Sequence, residues 1–281
     1  MMPLHSISDQ TKKVVIIDEP GQMCNQLWAY SPIMAFCSAK KIPLTIYGFN
    51  SYLELFVESI DRNVNFLDQK STSKALLKVI KTGLKIKRIF GLPSQSIEIS
   101  GTVFVKSWAF SKPLHQASFL KIFHQYAIKH FRLPLMVHKS LGVNRVGLHI
   151  RRGDYATWLG GRYFYSLEQY REQAISLAER LFPNQDVEFL IASNEDVSEF
   201  AKTLPNSIYF KDNSPLEDLA LLASSSVIVG PPSTFSMWAS FYSQVPIWFI
   251  KTSDSPPPDR LPPYIVYQDV FSDGTTLSVE N

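Results

Sequence analysis

Cysteine is scarce: Cys24 and Cys37 are the only two in 281 residues. Two thiols form no disulfide framework, and without a His or Cys cluster beside them they make no zinc site. A reducing compartment is the simplest expectation. Charge of either sign is also in short supply. Lys+Arg 28 against Asp+Glu 25 leaves a formal +3, which gives no reason to expect a nucleic-acid partner. Met1 to Lys13 lacks the apolar run of a signal peptide, so a cytoplasmic location is expected. No apolar run reads as a membrane span. Leu219 to Ile250 carries no charge, but Gly230-Pro231-Pro232-Ser233-Thr234 interrupts it and Ser224-Ser225-Ser226 dilutes its first half. A spanning helix needs about 20 consecutive, mainly apolar residues. G-x-x-x-x-G-K-[ST] and G-x-G-x-x-G are absent, which excludes a P-loop and the common dinucleotide fingerprint. Asp-x-Asp is absent too, which argues weakly against a metal-dependent transferase.

What the chain does have is apolar material: 45% hydrophobic against 19% charged residues rules out a disordered chain. At roughly 100–200 residues per domain, the length predicts two lobes. Val14–Ile17, Leu44–Tyr47 and Val103–Val105 are strand candidates of the first half, with a helix-like segment from about Asn25 to Lys40. In the second half the runs are Val146–Ile150, Val187–Ile191, Ile208–Phe210, Val227–Val229 and Ile247–Ile250, most of them separated by helical segments. Near-continuous apolar strands alternating with helices predict parallel sheets covered on both faces, an α/β fold. Ser166-Leu167-Glu168-Gln169 reads as a capping box, and Ser214-Pro215-Leu216-Glu217 adds Pro at the first helical position. Pro134 marks a boundary between halves meeting near 135–145. This gives an N-terminal lobe over 1–140, a C-terminal lobe over 141–255 and a tail over 256–281 behind the stiff Pro256-Pro257-Pro258 connector. One further segment stands apart. Lys70, Lys74, Lys78, Lys81 and Lys85 recur every three or four residues, with Lys87 and Arg88 behind them. A solvated helix face is the bland reading; peripheral contact of Lys70–Arg88 with an anionic membrane is the functional one.

The densest chemical feature is His149-Ile150-Arg151-Arg152-Gly153-Asp154-Tyr155, directly after a strand. Ligands of parallel α/β sheets bind outside the carboxyl ends of strands. Arg presents a planar fork of donors matched to phosphate oxygens and stays charged at any working pH. Anion binding and a simple Arg151–Asp154 ion pair closing the loop weigh about equally on these residues alone. Gly230-Pro231-Pro232-Ser233-Thr234-Phe235-Ser236 follows another strand and opens a helix, where hydroxyls stand beside free backbone N–H groups. Plain capping is its bland reading. Two anion-suited strand ends in one lobe favour a diphosphate. After the first strand, Gly21-Gln22-Met23-Cys24-Asn25-Gln26 offers Asn25 as a ligand contact or as a helix cap.

These three motifs, in this order, resemble the fucosyltransferase superfamily. G-x-x-x-N-Q looks like its N-terminal motif, and H-x-R-R-x-D-Y looks like the signature of alpha-1,2-fucosyltransferases. Ser233-Thr234-Phe235-Ser236-Met237-Trp238 resembles their S-S-F-S-W-W run. The resemblance implies a GT-B-like fold of two Rossmann-like lobes with a cleft between them. GDP-fucose would sit on the C-terminal lobe, a glycan acceptor on the N-terminal side, and no metal or other cofactor would be required. It places His149 and Asp218 at the guanosine end and Ser193-Asn194 near the nucleotide. Arg151 would lie on the diphosphate, Ser233, Thr234 and Phe235 around the phosphates, Asp154 in the same pocket and Asn25 on the N-terminal lobe. Cys24 stands where relatives carry a second Gly, Asn194 where an acidic residue is common, Met237 in place of a Trp, and Pro231-Pro232 in place of a more usual approach. The implied reaction is an inverting transfer to a sugar hydroxyl, with a 1,2 linkage to galactose as one outcome. For a general base the motif loop offers Asp154 or His149, since no Asp or Glu lies between Asp154 and Glu168, and Asp154 is the candidate taken. Alternatives are a transferase using another nucleotide sugar, or a nucleotide-sugar or carbohydrate-binding protein without catalysis. Trp158, Tyr163, Phe164 and Tyr165 after the motif read equally as sugar-stacking or core residues.

Overall fold

The structure, a computed structural model, describes residues 7–8, 10–56, 58–67, 74–92, 94–111, 114, 117–136, 143–252, 254 and 256–261. Lys70 and most of the expected tail lie outside the described residues. The chain divides beside Pro134 into two compact units, Met1–Arg132 and Leu133–Asn281.

The N-terminal unit runs β1 (Lys13–Ile16), α1 (Met23–Lys40), β2 (Leu44–Tyr47), α2 (Asn50–Leu53), β3 (Val64–Leu67), α3 (Lys74–Ile89), β4 (Ser96–Ile99), β5 (Thr102–Val105), α4 (Ser107–Ser111) and α5 (Ala117–His130). Its sheet has the order β3-β2-β1-β5-β4, parallel except for β4 against β5. That antiparallel pair is a hairpin. Ile99 pairs with Thr102 across Ser100 and Gly101, and both turn residues have positive φ (51° and 79°), as a primed two-residue turn requires. Neither β3 nor β4 stands out in the sequence, because each is an edge strand whose polar members (Asn65, Glu98) break the apolar run. In α1 every residue from Met23 to Cys37 except Asn25 is buried, the signature of a helix enclosed on all sides. The order reverses between β1 and β5, and there the Asp18 carboxylate accepts the Ser107 N–H at 2.7 Å. Burial raises the Asp18 pKa against that hydrogen bond.

The C-terminal unit runs β6 (Asn144–Ile150), α6 (Leu167–Leu181), β7 (Val187–Ser193), α7 (Ser198–Ala201), β8 (Ser207–Tyr209), α8 (Pro215–Ala223), β9 (Val227–Gly230), α9 (Thr234–Ser243) and β10 (Ile247–Phe249). All its strands are parallel, in the order β10-β9-β6-β7-β8. The central strand β6 is buried from Arg145 to Ile150, which is why it reads as a continuous apolar run. Val146, Leu148 and Ile150 on one face pack with Tyr170, Leu177, Ile191 and Val229. Fully burying one such aliphatic side chain contributes roughly 1.5–3 kcal/mol, so Leu148→Ala is expected to cost about 2–5 kcal/mol. Both expected capping boxes form: Ser166 and Ser214 each accept the backbone N–H three residues on, and Gln169 and Glu217 reach back. Successive strands run outward from β6 to β7 and β8, then reverse to β9 and β10. The crevice outside the carboxyl ends of β6 and β9 is therefore a topological switch point, where open α/β sheets bind ligands.

Candidate active site

His149 and Gly230 close the carboxyl ends of β6 and β9. A Cβ at Gly230 would stand 2.5 Å from the His149 carbonyl oxygen, so only glycine lets these strand ends approach so closely. The helix that follows brings Phe235 over the His149 ring, stacked at 5.3 Å between centroids with 29° between planes. His149 is 3% exposed and its Nδ1 has no hydrogen-bond partner among the described residues. Burial, and secondarily the Arg151 charge, push its pKa down to about 3. The imidazole is thus neutral at any working pH and a weak proton acceptor.

Arg151 leaves β6 toward a cavity of about 390 Å³. Its guanidinium is gripped by Asp154, with Nε 2.8 Å from Oδ1 and Nη2 2.9 Å from Oδ2. The ion pair weighed in the sequence reading is therefore present, in bidentate form. The Arg151 backbone is held as well, donating its N–H to the Tyr170 hydroxyl and accepting from it, both at 3.2 Å. Arg152 turns to Glu195 (2.8 Å) and lies over the Phe164 ring at 5.1 Å. The Asn194 side-chain oxygen accepts the Arg152 N–H at 3.0 Å. Its amide nitrogen would lie 2.6 Å from a Cβ placed on Gly153, so a side chain there would push Asn194 from this position. Tyr155 then pins the turn: its hydroxyl donates to the Pro232 carbonyl at 2.7 Å, linking the motif loop to the start of α9. Burial pushes that phenol up to about 12, so it stays a donor.

Six of the residues singled out in the sequence line the cavity: His149, Arg151, Ser193, Asn194, Asp218 and Phe235. Asp154 stands behind Arg151 rather than on the wall. Ser233 is buried and its hydroxyl accepts the Phe235 N–H at 3.2 Å as the N-cap of α9, the bland reading weighed above, and Thr234 is half-buried as the first residue of that helix. Neither of these two lines the cavity. Asp218, in the first turn of α8, accepts from Asn213 Nδ2 at 3.0 Å and from the Ser193 backbone. Burial outweighs both bonds and raises its pKa to about 6. Asn25 belongs to the other unit. It sits in the first turn of α1, folded against Gly21, whose φ of +53° supplies the turn before the helix. Cys24 lies within α1 and is not among the positive-φ residues, so its side chain strains nothing there. Gln22, not Asn25, is the N-cap.

Ala192 in β7 lines the cavity too, and so do five residues to which the sequence reading gave no part in the site: Glu195, Asp196, Lys211, Asn213 and Pro215. All five follow the ends of β7 or β8, so the strand-end rule applied to those loops would have found them. The aromatic run resolves unequally. Tyr163 and Tyr165 are core residues, Trp158 is partly buried between Tyr155 (4.8 Å) and Tyr163 (6.1 Å), and Phe164 is exposed beneath Arg152. Among the described residues no group of three or more His, Cys, Asp or Glu is placed to hold a metal ion.

Two Rossmann-like units, the second with an Arg-lined cavity at its switch point, define a GT-B-like α/β protein. Residues 109–251, slightly more than half of the chain, match the sequence profile of glycosyl transferase family 11, and the chain belongs to that family of glycosyltransferases. The matched range contains both C-terminal motifs on which the fucosyltransferase resemblance rests, and leaves Gly21–Gln26 outside. The fold is similar to that of an Arabidopsis thaliana FUT1 variant solved in complex with GDP (TM-score 0.54, 12% identity, 85% of this chain and 70% of that one). Fucosyltransferase NodZ from Bradyrhizobium aligns over 85% of this chain and 95% of its own at TM-score 0.48 and 14% identity. No curated protein matches in sequence.

Proposed function

We propose that this glycosyltransferase moves fucose from GDP-fucose to a hydroxyl of a glycan acceptor, with inversion at the anomeric carbon and without a metal ion. The observation that carries the reading is Arg151, a cation on the cavity wall at the switch point, with its fork fixed by Asp154. Family membership, the His149–Tyr155 and Ser233–Trp238 motifs, and a fold shared with a fucosyltransferase solved with GDP support it. In the step proposed, the acceptor hydroxyl oxygen bonds to the anomeric carbon as the bond from that carbon to the diphosphate breaks, and the hydroxyl proton passes to an oxygen of the departing diphosphate or to water. Positive charge develops on the sugar ring and negative charge on the departing phosphate. Arg151 and the N-terminus of α9 stabilise the latter, a contribution worth about 10²–10³ in rate for one preorganised donor. Asp154 is assigned to orienting Arg151, because its carboxylate is already committed to that guanidinium, by a hydrogen bond at Oδ2 and an ion-pair contact at Oδ1. Neutral His149 and Phe235 form one wall for the nucleotide, and Asp218 faces it as an acceptor for N–H donors of the base. Ser193 and Asn194 belong to the same wall, Ser233 and Thr234 order the helix start, and Asn25 takes its part in transfer from the resemblance alone.

The test is GDP release from GDP-fucose in EDTA over galactose-terminated and other simple acceptors, with product NMR for the linkage. Acceptor-stimulated release is expected. Release only with a different nucleotide sugar overturns the donor assignment, binding without release on any acceptor favours a binding protein, and release abolished by EDTA refutes metal independence.

A further inference from the structure

Helix α3 carries a second apolar stripe that the fold leaves uncovered. Leu77, Ile80 and Leu84 face inward and pack with Val15 and Ile17 beneath the sheet. At about 100° per residue, Ala75, Val79, Thr82, Ile86 and Ile89, spaced alternately by four and three, fall on the opposite side of the cylinder. All five are exposed, Val79 by 67% and Ile89 by 71%. Beyond the helix end, Phe90 (75%) and Leu92 (55%) extend the same apolar surface. Lys78, Lys81, Lys85 and Arg88, spaced by three, four and three, form an exposed cationic row along one side of that stripe. From Asp68 to Glu98 the chain has no acidic residue between them. Lys87 turns back to the protein, donating to the Ser96 carbonyl at 3.0 Å.

A merely solvated helix face has no reason to expose a regular row of aliphatics ending in a phenylalanine. We propose that α3 docks the enzyme in the plane of an anionic lipid bilayer, with Val79, Ile86, Ile89 and Phe90 entering the headgroup–acyl boundary and the lysine row meeting lipid phosphates. An apolar face flanked by cations is what an in-plane helix presents, and the bilayer offers both complements at once. A second copy of the chain offers only one: pairing α3 with itself sets lysine row near lysine row. This docking is lateral, since no helix among the described residues is long and apolar enough to cross a membrane.

The test is co-sedimentation of the full chain with vesicles of equal parts phosphatidylglycerol and phosphatidylcholine, against pure phosphatidylcholine. Binding is expected to the former only and to weaken with salt. The triple variant Ile86→Ser, Ile89→Ser, Phe90→Ser is expected to lower partitioning about tenfold or more, and each of Lys78→Gln, Lys81→Gln and Lys85→Gln by about fivefold, with thermal unfolding midpoints unchanged. No binding to the anionic vesicles overturns the proposal, as does binding that the triple variant retains. If sedimentation velocity shows a dimer that the triple variant dissociates, and vesicles capture nothing, the stripe belongs to a second copy instead.

Discussion

Arg151→Ala, Asp154→Ala and the double variant separate two roles that a single substitution confounds. In the folded chain the pair is partly exposed, with 18% of the Arg151 and 51% of the Asp154 side chain accessible. Such a pair is worth about 0–1 kcal/mol of stability, so all three variants are expected to unfold close to wild type. Transfer is where they part. Removing Arg151 takes away the charge on the phosphate side of the transition state, an expected loss of about 10²–10³ in kcat. Removing Asp154 leaves that charge but releases the hydrogen bond and the ion-pair contact that aim it, an expected loss of about tenfold. If Asp154 acts only through Arg151, its removal from the Arg151→Ala background costs nothing further. The cycle then shows a coupling of about tenfold, or about 1.4 kcal/mol. The assay is initial-rate GDP release at saturating donor and acceptor, with single-turnover rates to isolate the chemical step. Wild-type turnover in Arg151→Ala refutes the site assignment. A loss of about 10²–10⁴ for Asp154→Ala that persists without Arg151 refutes the orienting role and makes Asp154 a general base after all.

Two further expectations follow from the same geometry. Asp218 has its pKa raised from 3.8 to about 6 by burial, so between those values the folded chain holds a proton that the unfolded chain has released. If the carboxylate accepts N–H donors of the nucleotide base, GDP affinity is full above pH 6 and falls by up to about tenfold per unit below it. Calorimetric titration across pH 5 to 7 checks this, and Asp218→Asn is expected to bind weakly with a flat profile. Gly230→Ala drives a methyl into the His149 carbonyl at the junction of β6 and β9, with an expected loss of about 1–3 kcal/mol in denaturant unfolding and weakened GDP binding. Unchanged stability would show that the strand ends yield more easily than their spacing implies.

Much of the C-terminal unit is legible in the chain, because its signals are local. Continuous apolar runs such as Val146–Ile150 mark strands buried on both faces, and the capping boxes at Ser166 and Ser214 place helix starts to the residue. The edge strands β3 and β4 escape notice because half of their surface needs no apolar residue, and β4 reverses direction on two left-handed turn residues. At the site, the residue types and their strand-end positions are in the sequence. Their states are not. Whether Arg151 pairs with Asp154 is a loop conformation; that Asn194 holds the Arg152 N–H spans 42 residues, and that Tyr155 reaches the Pro232 carbonyl spans 77. His149 becomes a neutral wall because the tertiary structure buries it, with Phe235, on a helix far along the chain, stacked on its ring.

The same division holds for α3, whose lysine spacing is plain in the sequence while the face its aliphatics occupy is not. Periodicity of 3.6 shows that Leu77, Ile80 and Leu84 share one stripe and that Val79, Ile86 and Ile89 share another. Only packing against the sheet decided which stripe the core took, because burial is a property of what lies across the contact and not of the helix itself.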